Sequence, residues 1–316
     1  MKLPNHSFNS FFDSRLFLLY EMSLEMQAKI TNVYANEAPV NKNLKGNHGQ
    51  AFYITIGDEK ILYDTGRKPK ILLRNMNELG ILPKDIDKIF LSHGHVDHTW
   101  GLPGLLDSIN PDNPIPVFGH PSITEKKVTK IVFIKMNLGF PKLSEKQQKK
   151  IDLQFIREPI ELAKGLTSTG EISIRPYRDG REPMAFHKSG GSFEVDPVLD
   201  DQSVVLDTKE GLVLITGCCH AGLLNTLEHV KKMKNKPFKA IIGGTHMVRF
   251  SKEEVEHVAD VLEREYGPPD LYLNHCTDNF PIPLIKKTPV TKILKRRFGE
   301  EKVNTCFVGT ELSFEV

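Results

Sequence analysis

The sequence predicts an α/β fold, and three observations carry that reading. Short apolar runs alternate with amphipathic stretches in strand, loop, helix order. Histidines recur where the apolar runs stop, at His93, His220, His246 and His275. Loops at the carboxyl ends of strands are where α/β proteins place their chemistry. Third, Ser92-His93-Gly94-His95-Val96-Asp97-His98 gathers three imidazoles and a carboxylate directly behind an apolar run.

The elements follow in order. Residues 1–27 read as an N-terminal extension, and residues 28–316 as one domain. Leu16–Tyr20 is apolar but shorter than the roughly 7 residues of a signal core. Asp13 and Glu21 flank it closely, which leaves the cytoplasm as the expected compartment. Ala51–Ile56 and Lys60–Tyr63 flank the turn Gly57-Asp58-Glu59 and predict a hairpin closed by Asp64-Thr65-Gly66. Pro69 and Gly80 bound a helix. Lys88–Leu91 is a short strand, a helix begins near Gly101, and Ile115–Phe118 is a further strand.

Residues 121–165 are rich in lysine, with Ile131, Val132, Ile134, Met136 and Leu138 set among Lys126, Lys127, Lys130 and Lys135. They read as an inserted helical segment, a solvated cover for the core, with a lid or a dimer contact as alternatives. Ser203–Leu206 and Leu212–Ile215 predict a second hairpin, followed by a helix to about residue 234. Ala240–Ile242 is a strand, residues 252–266 a helix, and Leu271–Leu273 a strand ending at Asn274-His275-Cys276.

Composition narrows the class. Of 316 residues, 39% are hydrophobic and 26% charged, as in ordinary soluble domains. A net charge of +2 argues against a nucleic-acid partner. No apolar run approaches the roughly 18 residues of a membrane span, so no membrane partner is expected. Cys218, Cys219, Cys276 and Cys306 show no CxxC spacing, which fits a reduced compartment.

Imidazole nitrogen and carboxylate oxygen suit zinc, iron or manganese. Alternate residues of an extended loop share a face, so His93 and His95 point together. Asp97 and His98 then turn toward a second position about 3.5–4 Å away, the spacing of two-metal sites. Gly94 lets the backbone bend between them.

His-x-His-x-Asp-His after a short strand resembles the signature of the metallo-β-lactamase superfamily. Asp64-Thr65-Gly66 is similar to the superfamily's first motif, whose Asp supports the metal loop from behind. The resemblance spans roughly residues 28–310. It implies an αββα sandwich, two mixed sheets face to face with outer helices, and one or two divalent ions at one edge. Zinc is the foremost expectation, with Mn, Fe or Mg as alternatives. His93, His95, Asp97 and His98 are the expected ligands. His275 resembles the last motif's histidine, a ligand of the second ion, and His220 is the candidate for the first. One departure stands out: where many relatives carry Thr-Gly-Asp with a bridging Asp, this chain has Gly217-Cys218. The second ion is therefore expected to be weak, exchangeable or absent. Asp200 or Asp201 is a possible substitute. Cys219 reads foremost as a buried thiol, with thiolate ligation as the alternative.

Asn47–Gln50, Thr216–Gly222, Ile242–His246 and Asn274–Thr277 together resemble one branch, which includes the 7,8-dihydropterin-6-methyl-4-(β-D-ribofuranosyl)aminobenzene 5′-phosphate synthases. The Thr-Gly-Cys-Cys-His-Ala-Gly run is the most specific of these segments. The resemblance implies transfer: an aryl amine attacks the methylene of a dihydropterin diphosphate, and pyrophosphate leaves. The alternative is a hydrolase of a phosphodiester, thioester or lactone using metal-bound hydroxide, with Asp97 orienting the water. His246 is the candidate for substrate contact or proton transfer, and His48 for lining the same pocket. Arg67, Lys68, Arg178 and Arg181 are candidates to meet the phosphate of a small-molecule substrate. RNA-processing members are disfavoured by length and charge. A non-enzymatic scaffold is disfavoured by the intact histidine cluster. Oligomeric state is open at this level.

Overall fold

The computed structural model describes residues 26–131, 134–279 and 287–316. Most of the N-terminal extension, with Leu16–Tyr20, lies outside the described residues, as does Val132. In chain order the elements begin with β1 (Gln27–Tyr34), β2 (Ala51–Ile56), β3 (Glu59–Tyr63), α1 (Pro69–Glu78), β4 (Lys88–Phe90), α2 (Val96–Thr99), α3 (Leu102–Ser108) and β5 (Ile115–Gly119). Next come β6 (Lys127–Ile131), β7 (Ile134–Asn137), α4 (Glu145–Gln148), β8 (Ile151–Phe155), β9 (Glu161–Ala163), β10 (Leu166–Ser168), β11 (Ala185–Ser189) and β12 (Ser192–Val195). The rest are β13 (Val204–Thr208), β14 (Gly211–Thr216), α5 (Leu223–Met233), β15 (Phe238–Gly243), α6 (Lys252–Val261), β16 (Asp270–Leu273), α7 (Val290–Phe298), β17 (Val303–Thr305) and β18 (Glu311–Glu315).

Two seven-stranded mixed sheets result, ordered β18-β1-β2-β3-β4-β5-β8 and β17-β16-β15-β14-β13-β10-β9. The run β3-β4-β5-β8 is parallel, as is β14-β15-β16-β17, and the other pairs are antiparallel. Strand periodicity explains the layering. On β14, Val213 and Ile215 face the first sheet with Val204, Leu206, Ala240 and Ile242, meeting Phe52, Ile54, Tyr63 and Phe90. The alternate residues Leu212 and Leu214 turn outward onto Leu224, Leu227, Val258 and Leu294 of α5, α6 and α7. On the far side, Leu62 and Ile89 pack against Leu72, Met76 and Leu105 of α1 and α3. The four layers are helix, sheet, sheet, helix. A strand buried on both faces reads as a continuous apolar run, which is why β14 is legible in sequence.

Residues 121–165 differ from the helical expectation. Among the described residues of this stretch, helix is confined to a 3-10 turn at Pro121–Thr124 and the turn Glu145–Gln148 with its capping box at Ser144, while Lys127–Ile131, Ile134–Asn137, Ile151–Phe155 and Glu161–Ala163 are strands. Val132, Ile134, Met136 and Leu138 recur every second position rather than every third or fourth, and Val128, Thr129 and Ile131 are β-branched. β6 and β7 join β11 and β12 in a third sheet, ordered β12-β11-β6-β7. No helix of the described residues is long and apolar enough to cross a membrane.

Candidate metal centre

The centre forms where β3, β4, β14, β15 and β16 release the chain. Asp64 follows β3 and is fully buried. Its Oδ1 accepts the Ser92 N–H at 2.8 Å, and its Oδ2 accepts the Ser92 hydroxyl at 2.8 Å and His98 Nδ1 at 2.7 Å. The Thr65 N–H and hydroxyl both donate to the His98 carbonyl, at 2.7 and 2.9 Å. Gly66 has φ +64, and a Cβ there would lie 2.5 Å from the Tyr34 ring, so only glycine lets this loop close. Burial alone would lower the His98 pKa, but the Asp64 charge and hydrogen bond outweigh it and the net shift is upward.

Two groups of donor atoms face one another. In the first, the His93, His95 and His220 rings lie 4.6–4.9 Å apart, and His93 Nε2 is 3.1 Å from His95 Nδ1. His220 Nδ1 donates to the Gly180 carbonyl at 2.9 Å, which turns its Nε2 inward. His95 Nε2 and His220 Nε2 are buried without a hydrogen-bond partner. In the second group, Asp97 Oδ2 lies 2.9 Å from His48 Nε2 and 3.3 Å from His275 Nε2. His98 Nε2 lies 3.2 Å from His275 Nε2. Cys218 stands between the groups, its Sγ 3.1 Å from His98 Nε2. Its Sγ clusters within 4.8 Å both with His93 and His220 and with His98 and His275.

Tautomers make this arrangement diagnostic. His98 Nδ1 faces the Asp64 carboxylate, and His275 Nδ1 lies 2.9 Å from the Asn36 amide oxygen. Both Nδ1 atoms are assigned as donors by those acceptors. With both rings neutral, the two Nε2 lone pairs then point at each other across 3.2 Å, a contact that a shared cation makes favourable. The inward Nε2 of His220, left with no donor, is explained the same way. This donor set fits a divalent metal ion.

Burial, reinforced by neighbouring imidazoles, pushes the pKa values of His93, His95 and His246 well below the usual range and lowers His220. Burial brings His275 down to about 3 against the pull of Asp97. Neutral imidazole is the form that binds metal. Burial would raise Asp97, but His48 and His275 reverse it, leaving the carboxyl well below its ordinary range. Burial and the adjacent Cys276 thiol push the Cys218 thiol well up, so its use as a ligand requires deprotonation on binding. Four of the site's residues, Asp64, Cys219, His246 and His275, hold left-handed φ values between +49° and +60°. Such strain concentrates at functional loops.

The centre forms the floor of a cavity of about 340 Å³. His48, His246 and Cys276 complete the floor; Val96, Met136, Leu138, Met184 and Ala185 form an apolar wall; Arg67 and Glu182 also line it. The His246 ring centroid lies 4.2 Å from that of His220, the planes tilted by 43°, with His246 Nδ1 3.8 Å from a Glu182 oxygen.

The structure therefore brings together His93, His95, Asp97, His98, His220 and His275, with His48 and His246 beside them and Asp64 behind. It does not bring Asp200, Asp201 or Cys219 into the donor groups. Asp200 accepts from the Gly94 N–H and Lys127, and Asp201 Oδ2 accepts from the Ala221 N–H. The Cys219 thiol points into the core beside Thr226. Sequence reasoning passed over Cys218, which stands where a bridging carboxylate was sought. The signal was its own position, Thr-Gly-Cys in place of Thr-Gly-Asp. Of the candidate phosphate contacts, Arg178 pairs with Glu254 and Arg181 with Asp179. Lys68 does not line the cavity, whereas Arg67 does.

Two facing mixed sheets with histidine, aspartate and cysteine donors at the strand ends define a metallo-β-lactamase-fold protein. The chain belongs to the metallo-β-lactamase superfamily, whose family model matches residues 44–220. Within it, the chain is 29% identical over 266 residues to a 7,8-dihydropterin-6-methyl-4-(β-D-ribofuranosyl)-aminobenzene-5′-phosphate synthase of Methanocaldococcus jannaschii, covering 79% of this chain and 87% of that one. It is 30% identical over 240 residues to an uncharacterized protein of the same organism, covering 75% of this chain and 86% of that one. A crystal structure of a metal-dependent hydrolase of the β-lactamase superfamily superposes with a TM-score of 0.74 at 24% identity, covering 92% of this chain and 100% of that one. Shorter matches include ribonuclease Z of Nanoarchaeum equitans, 34% identical over 106 residues, about a third of each chain.

Five site histidines with depressed pKa values stay neutral when folded, while the unfolded chain takes up protons below about pH 6.5. Stability of the metal-free protein is therefore expected to fall as pH drops below about 6.5, with His275 contributing down to about 3. His98, Asp64 and Glu182, shifted upward, oppose this. Urea midpoints of chelator-treated protein between about pH 7.5 and 5.5 check it; a midpoint that rises on acidification would contradict the neutral assignments.

Proposed function

We propose that this protein is a metal-dependent enzyme acting on a small phosphorylated substrate, by transfer with release of pyrophosphate. The observation that carries the reading is the pair of inward-facing donor groups flanking Cys218 at the floor of a cavity of about 340 Å³, a small-molecule size. The similarity to the synthase, over 87% of its length, supports the reaction class. His93, His95 and His220 would hold one ion, and Asp97, His98 and His275 a second, with Cys218 between them. Sulfur and imidazole donors favour zinc over magnesium. A bound divalent ion supplies Lewis acidity to a departing phosphate oxygen.

The chain's own residues do the rest. Arg67 makes no ion pair or side-chain hydrogen bond among the described residues, so its guanidinium is available to an anionic group. Val96, Met136, Leu138 and Met184 cover a flat apolar ring and exclude water. As the amine nitrogen bonds to the methylene carbon, the carbon–oxygen bond to diphosphate breaks. The amine proton passes to His246, which burial keeps neutral. Hydrolysis is the second reading. Asp97, its Oδ2 held between His48 and His275, is placed to orient a water instead.

Incubating the zinc-loaded protein with 6-hydroxymethyl-7,8-dihydropterin diphosphate and 4-(β-D-ribofuranosyl)aminobenzene 5′-phosphate is expected to give condensed product by mass spectrometry, and a His95→Ala sample none. Pyrophosphate release without condensation, independent of the amine, would favour hydrolysis; inertness of the folded, loaded protein toward both would sink the transfer reading. In the same assay Arg67→Ala is expected to raise KM roughly tenfold with kcat little changed, the loss of one charge-assisted contact. Cys218→Ala is expected to weaken zinc binding by roughly tenfold or more, at least the effect of losing an outer-shell partner. Calorimetric titration reads this directly, and unchanged affinity would remove Cys218 from the ligand set.

A further inference from the structure

The third sheet is more than a wall. Lys127, at the start of β6, is 1% exposed, and its ammonium donates to Asp200 Oδ1 at 2.7 Å and to Asp196 Oδ2 at 2.9 Å. Asp196 Oδ1 accepts the Val198 N–H, which fixes that carboxylate. The free oxygen of Asp200, Oδ2, accepts the Gly94 N–H at 2.8 Å. Gly94 is the residue between His93 and His95. It is wedged there: a Cβ at this position would lie 2.3 Å from the Ile123 carbonyl oxygen and 3.3 Å from Asp200 Oδ2.

A buried ammonium with two carboxylates is weak evidence for stability, since apolar residues of similar volume often serve as well. Its geometry is better explained by what it holds. The partner strand of the same hairpin also grips the motif: just past β7, the Val96 N–H donates to the Leu138 carbonyl at 3.0 Å, and the Trp100 indole to the Gly139 carbonyl at 2.9 Å. Leu138 in turn donates its N–H to the Lys127 carbonyl at 3.0 Å, so both grips belong to one rung of the hairpin.

We propose that Lys127 is a positioning residue for the metal-binding loop. By clamping Asp200 it fixes the Gly94 N–H and hence the aim of His93 and His95, so the sheet that walls the substrate cavity also sets the geometry of the first donor group. This holds whichever reaction the centre performs. It predicts that disturbing the clamp affects one donor group and spares the other.

The test is Co²⁺ titration followed by d–d absorption, with thermal melting of the metal-free protein alongside. Asp200→Asn, which keeps the side chain's shape, is the lead variant, and Lys127→Met checks it. Each is made in His275→Ala protein, where the first donor group remains intact, and in His220→Ala protein, where the second does. Asp200→Asn is expected to weaken Co²⁺ binding in the His275→Ala background by roughly 10–100-fold, the usual effect of an outer-shell partner. The d–d bands should shift, while binding in the His220→Ala background stays within about threefold. Asp196→Asn, which touches Lys127 but not Gly94, should behave as its parent. Unchanged Co²⁺ affinity and spectrum in folded Asp200→Asn and Lys127→Met protein would overturn the proposal. So would equal losses from Asp196→Asn and Asp200→Asn, which would mark a general charge effect, or loss of binding only together with loss of the folded state.

Discussion

A single carboxylate, that of Asp64, ties the loops of this centre together. It emerges from β3, receives two hydrogen bonds from Ser92 at the end of β4, and orients the His98 imidazole through Nδ1. The loop after β14 closes on the same knot: a Cβ on Gly217 would meet the Ser92 hydroxyl at 2.3 Å. The Gln50 side chain donates to the Thr216 carbonyl at 2.6 Å from the other side. Three loops from two sheets thus share one buried anion. Removing it would leave Ser92 and His98 with unmet buried donors and free the neighbouring histidines to rotate. The candidate donor side chains sit on loops, yet the loops are held like core.

Cys218 gives the centre its particular character. In place of a hard carboxylate, a soft and polarizable sulfur stands between two groups of imidazoles. A thiol at rest with a raised pKa would bind a cation only by surrendering its proton. The neighbouring Cys219, one residue on, turns into the apolar core and takes no part. Two adjacent cysteines have opposite fates because Cys219 adopts a left-handed backbone conformation, with φ +60, that reverses the chain between them.

Much of the architecture was legible in the sequence. Doubly buried strands such as β14 announce themselves as unbroken apolar runs, and the alternation with helices follows from glycine and proline punctuation. The His-x-His-x-Asp-His loop was legible because its donors are adjacent in sequence. His220, His246 and His275 were legible because each ends a strand. What escaped was of two kinds. The lysine-rich segment reads as helix from its amphipathicity alone, but alternation at every second residue from Val132 to Leu138 belongs to a strand. Cys218 was passed over because the absence of an aspartate was read as a loss, although sulfur is an equally good zinc donor. The Lys127–Asp200–Gly94 chain had no local signal at all: its partners lie far apart in sequence and meet only through the third sheet.

The pairing of β1 with β18 has a consequence for synthesis. Gln27 lies opposite Glu315, so the first sheet cannot complete its edge until nearly all of the described chain has left the ribosome. Non-local pairing of this kind is slow to form. The His93–His98 segment emerges long before Cys218 and His275, and a nascent chain therefore displays half a chelating centre beside an unpaired strand. The order of synthesis thus delivers the donors of the His93–His98 loop well before Cys218 and His275, the groups that face them in the folded chain.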